Sequence, residues 1–166
     1  MKNKLTKVLG VAPLVLLLSF PATASAATVK LLTWDLVDSG KHMDWDGSSQ
    51  YQSSFNAGVN TWNNYKSGVI RKDSISVVQD VAISDYYEKS TTAGVTSSNG
   101  TIKFNKYNMD SLSSAQKQNV ATHELGHALR LAHNQSTDVM YAYVTSKTTL
   151  STNDKASYDQ AYKYNY

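Results

Sequence analysis

His123, Glu124, His127 and His133 fall within eleven consecutive positions of this chain. Residues four apart on a helix stand one above the other on the same face, so His123 and His127 would offer two imidazoles to a single ion. Glu124 lies about 100° round the helix from His123, close enough to reach a water on that ion without binding the ion itself. A tetrahedral catalytic zinc keeps three protein ligands and one open position. His133, six residues beyond His127, supplies the third ligand if the chain reverses where the helix ends. Such a set performs metal-assisted hydrolysis: zinc acidifies a water and polarises a carbonyl, while Glu124 takes the water's proton and returns it to the leaving group. The residue counts sharpen the pattern, because only His42 among four histidines lies elsewhere and the chain has just two glutamates, Glu88 and Glu124. There is no cysteine, which excludes a thiolate metal site and a disulfide framework alike.

The two histidines share a face only if their segment is helical. Ser113 or Ser114 can cap a helix that meets no Gly or Pro until Gly126 and carries Ala121, Leu125, Ala128 and Leu129, so a central helix is predicted to end near 129. Ahead of it, residues 29–37 read as a first strand, 41–49 as a polar loop, and 49–66 as an early helix from the spacing of Phe55, Val59 and Trp62. Within that loop, Asp44-Trp-Asp46-Gly47 reads as a solvated turn rather than a calcium loop. β-Branched residues predict a strand at 75–83 and a short one at 93–96, and Asn99-Gly100 turns the chain into a further strand at 101–107. Ser151 or Thr152 caps a last helix, with Asp154 in its first turn and Ala161 and Tyr162 facing inward. Strands first and helices late predict an α+β domain of the three-layer α/β type: a mixed, mostly parallel twisted sheet with an early helix, a central zinc-binding helix and a C-terminal helix.

The stretch His123-Glu-Leu-Gly-His-Ala-Leu-Arg-Leu-Ala-His133, followed by Asp138-Val-Met140-Tyr141, resembles the signature of the metzincin metallopeptidases, and within them the matrixin-like branch. The resemblance implies that His123, His127 and His133 bind one zinc ion, that Glu124 is the catalytic carboxylate, and that Met140 is an apolar floor beneath the metal rather than a ligand. It also implies that residues 93–96 form the edge strand along which an extended peptide pairs, and that Tyr141 to Tyr143 border the pocket beside the scissile bond. Three departures stand out. Arg130 replaces a glycine needed where the helix ends at positive φ, a substitution that costs about 1–2 kcal/mol. Ala142 replaces a proline after Met-Tyr. Histidines for a second, structural zinc have no counterpart between Ile83 and Thr122, so a single ion is expected.

Residues 1–26 have the form of a secretory signal peptide: Lys2, Lys4 and Lys7, an apolar stretch over 8–20, then Ala24-Ser25-Ala26. That stretch falls short of the roughly 20 residues that span a bilayer, so no membrane anchor is expected after the leader is removed. The remainder, 27–166, is predicted to be one catalytic domain, secreted and monomeric. Its hydrophobic content of 41% and charged content of 17% are those of a folded chain. Removing the leader takes three of 16 basic residues and leaves 13 against 13 acidic ones, a near-neutral balance that argues against nucleic acid as a partner. With neither a thiol latch nor a segment before the first predicted strand to restrain it, the enzyme is expected to be exported active or held in check from outside. The resulting expectation is a secreted zinc-dependent endopeptidase acting on protein or peptide substrates. The competing one is a secreted, non-catalytic zinc-binding or surface-binding module, for which a closed zinc site would need a fourth ligand that only Asp138 is placed to give.

Overall fold

The computed structural model describes residues 26–74 and 79–164, so all but the last residue of the expected leader lies outside it. Five strands, β1 (Met43–Gly47), β2 (Ile70–Lys72), β3 (Val81–Tyr86), β4 (Gly94–Ser97) and β5 (Thr101–Asn105), form one sheet in the order β2-β1-β3-β5-β4. The pairs β1–β2, β1–β3 and β3–β5 are parallel, whereas β4 runs antiparallel to β5 at the sheet's edge. Four helices accompany them: α1 (Gln52–Tyr65), the short α2 (Lys106–Met109), α3 (Ser114–Ala128) and α4 (Thr152–Tyr164). The class is therefore α+β with a mixed, mostly parallel sheet, as the sequence led one to expect.

Side chains two apart on a strand share a face. Ile102 and Phe104 of β5 are fully buried, and they pair with Thr96 and Gly94 of β4, so these four residues look toward the same side. That side is covered by the two long helices. Phe55 of α1 meets Trp45 edge-on at 4.8 Å and Phe104 at 6.3 Å between ring centroids. The α1 residue Trp62 donates its indole N–H to the carbonyl of Thr122 in α3 at 3.0 Å, tying the helices together in the core. α4 closes the outer side, where buried Tyr158 packs on Trp62 and Tyr65, each at 5.8 Å. Its start is a reciprocal cap, with the Asp154 N–H donating to Ser151 Oγ and the Ser151 N–H to Asp154 Oδ2.

Several expectations need correction. Residues 29–37 are no strand of the sheet: Leu31 bridges Leu131, and the N–H groups of Leu32 and Leu36 donate to the carbonyls of Arg130 and Ala128. The segment thus braces the end of α3. The first strand is instead Asp44 and its neighbours, at the position expected to be a solvated turn. Asp44 is only 1% exposed, and the Arg71 guanidinium from β2 satisfies it with two bonds of 2.8 and 2.6 Å. The third strand starts at Val81, later than expected, and 75–78 lie outside the described residues. Tyr162 is 36% exposed instead of inward, stacked on Tyr158 at 5.4 Å.

Candidate metal centre

α3 opens with a capping box between Ser113 and Gln116 and buries a run from Asn119 to Gly126, which sets His123 and His127 on its inner surface. Its end is built by two bonds, from the Arg130 N–H to the carbonyl of His127 and from the Leu131 N–H to that of Gly126, both 2.9 Å. This pair is a Schellman turn, and it needs a left-handed residue between helix and exit. Arg130 fills that place at φ 80°, confirming the conformation inferred from the missing glycine. Its side chain is not idle there, because Nε donates to the carbonyl of Leu32 at 3.2 Å.

The turn brings His133 back beside the helix. Ring centroids are 4.6 Å apart for His123 and His127, 5.1 Å for His123 and His133, and 4.9 Å for His127 and His133. One nitrogen from each imidazole lies within 4.8 Å of the others, a grouping able to hold a metal ion. The Nδ1 of His123 stands 3.0 Å from the carbonyl of Val139, and that of His127 stands 2.8 Å from the carbonyl of Leu131. A carbonyl can only accept, so each Nδ1 carries the proton and each Nε2 keeps its lone pair free. The Nε2 atoms of His127 and His133 are 3.2 Å apart. Two nitrogens at about 2.0–2.1 Å from one tetrahedral ion stand about 3.3 Å apart, so this pair fits zinc in type and spacing, and His123 offers a third nitrogen within 4.8 Å of both.

Electrostatics favour the same use. Burial pushes the pKa of His123 down to about 4, and burial followed by the neighbouring His123 pushes that of His127 down to about 4. Both rings stay neutral, and therefore able to ligate, well below neutral pH. Glu124 is 5% exposed, and burial raises its pKa, opposed by His127 and by a bond from Thr96. A buried carboxyl beside a metal-ligand cluster is placed for both taking and giving a proton.

A cleft of about 270 Å³ runs along this cluster, between Ala93 and Gly94 of the β4 side and Tyr141, Tyr143 and Val144 on the other. The residues expected to border it do so, with Tyr143 72% exposed at the rim. Met140 is 1% exposed, and its sulfur lies against α3 at Gly126, where an added Cβ would collide with it. Asp138, in contrast, is taken up by the turn, accepting from the Gln135 N–H at 3.0 Å and from the Asn153 amide at 3.1 Å. Three residues at the site escaped the sequence reading. Buried Asp154 accepts from the N–H groups of Val139 and Met140 at 2.9 and 3.2 Å, holding the turn whose carbonyl faces His123. Asn119 fixes the cleft wall by bonds to the Lys147 carbonyl and the Thr145 N–H. Thr96 bonds Glu124 across from the edge strand. Only Asp154 left a sequence signal, its capping position, and that signal pointed to the helix and not to the site.

A family model described as matrixin, a peptidase family, matches residues 69–163, more than half of the chain and the whole stretch from β2 to all but the end of α4. No curated protein matches the chain.

Proposed function

Since the chain belongs to the matrixin family, we propose that it is a secreted zinc-dependent endopeptidase, a single catalytic domain over 27–166, with His123, His127 and His133 as the metal ligands and Glu124 as general base and acid. The observation that carries this reading is the convergence of three imidazoles, with the Nδ1 atoms of His123 and His127 committed to backbone carbonyls. Zinc bound there would supply a Lewis acid that polarises the scissile carbonyl and acidifies the attacking water. Glu124 accepts the proton of that water as it attacks, and delivers it to the departing amine when the carbon–nitrogen bond breaks. Backbone N–H and C=O groups of β4, at the sheet edge, pair with an extended peptide and align its scissile bond beside Glu124. Tyr141 and Tyr143 wall the pocket for the adjoining side chain.

The non-catalytic alternative would close the fourth position with a protein ligand. Asp138, the residue best placed in sequence, is bonded within its own turn, and among the described residues the histidine group includes no carboxylate. Incubating the mature protein with an unfolded protein substrate separates the two. Cleavage abolished by a chelator and restored by zinc is expected; an inert protein that still holds zinc would speak for the binding module.

A further inference from the structure

Glu124 is held by more than its helix. The Thr96 hydroxyl stands 2.7 Å from Glu124 Oε2 and 2.9 Å from the Glu124 main-chain carbonyl. Gly94, two residues earlier on the same face of β4, leaves the room the side chain needs. A Cβ there would lie 2.8 Å from Glu124 Oε1 and 2.9 Å from Cγ, closer than packing allows. The carboxyl therefore rests on bare backbone at Gly94 and is latched at one oxygen by Thr96, while Val95 between them points away and is 37% exposed. A glutamate side chain surrenders rotamer freedom when it is fixed. Here that ordering is completed by the folded strand before any substrate arrives, and a base held in place needs no reorganisation when the proton moves.

We propose that Thr96 is a positioning residue for catalysis, fixing the Glu124 carboxylate through its hydroxyl. The inference rests on the reading of Glu124 as the acid/base. Its test uses the zinc-loaded protein and a fluorogenic peptide that the parent cleaves, with Thr96→Val to remove the hydroxyl while keeping the β-branched shape and Thr96→Ser to keep the hydroxyl. Thr96→Val should lower kcat about ten- to a hundred-fold with KM within about two-fold and zinc content unchanged, and Thr96→Ser should recover most of the kcat. A second readout needs no turnover. Because Glu88 and Glu124 are the only glutamates, metal-free protein labelled with carbon-13 at the glutamate carboxyl gives two signals, and the one lost in Glu124→Gln belongs to the site. That signal should move in Thr96→Val and return in Thr96→Ser. The proposal is overturned if Thr96→Val keeps its kcat, if KM alone changes, or if serine rescues nothing; should valine disturb the strand, Thr96→Ala against Thr96→Ser gives the same comparison. A parent that cleaves no peptide would sink the hydrolytic reading instead, and the carboxyl signal would still decide whether Thr96 fixes Glu124.

Discussion

Arg130 occupies a backbone conformation that L side chains avoid, yet it stands at the turn that returns His133 to the helix. Two opposed effects follow. The left-handed φ costs about 1–2 kcal/mol relative to glycine, and the bond from Nε to the Leu32 carbonyl recovers part of it. Arg130→Gly is thus expected to change stability by less than about 1 kcal/mol, while Arg130→Ala, which keeps the strain and loses the bond, should be about 1 kcal/mol less stable than Arg130→Gly. Denaturant midpoints of the three proteins measure this, and an alanine variant more stable than the glycine variant would refute it. At this scale the grouping of the three histidines was legible, because ligand spacing on a helix is a local property. Thr96 and Asn119 were not: each acts across a long sequence separation through side-chain hydrogen bonds, and a threonine in a strand or an asparagine in a helix carries no sign of its distant partner.

Among the elements, α3 was readable from its cap to its end, since capping, apolar spacing and the positive-φ position all lie within the segment. β1 was not. Its two aspartates suggest a turn, and only the parallel neighbour β2 brings Arg71 opposite Asp44. The 29–37 segment failed in the other direction: its composition is that of a strand, but its partners are the carbonyls of Ala128 and Arg130 at the end of α3. α3 also owes its position to a missing side chain. Gly126 lets the Met140 sulfur lie against the helix, so Gly126→Ala would overpack Met140 against the helix that carries two of the histidines. A loss of about 1–3 kcal/mol and weaker zinc binding are expected, as read by thermal unfolding and a chelator competition. Unchanged zinc affinity would mean that the contact between Met140 and Gly126 does not support the ligands.

For the molecule as a whole, the buried histidines link stability to pH. His123 and His127 have folded pKa values of about 4 against about 6.5 when unfolded, so between those values the unfolded chain binds protons that the native one refuses. Their contribution is complete above about pH 6.5 and is lost as pH falls toward 4. Glu124 acts with the opposite sign: its raised pKa favours the native state at low pH, and that contribution is lost as pH rises through the folded value. In a Glu124→Gln background, which removes the opposing carboxyl, the metal-free protein should melt at progressively lower temperature from pH 6.5 to 4. A His127→Gln variant should show a shallower decline; an equal slope would show that the histidines do not govern it. If the histidine group holds zinc, saturating zinc should raise the melting temperature at neutral pH, because the folded donor set would bind the ion more tightly than the unfolded chain.

The most direct measurement pairs metal content with turnover in Glu124→Ala. One zinc per chain with cleavage of an unfolded substrate reduced at least about a thousand-fold is expected, beside a His127→Ala variant that has lost both. A Glu124→Ala protein that cleaves as fast as the parent, or a parent that holds no zinc and still cleaves, would contradict the assignment of this site.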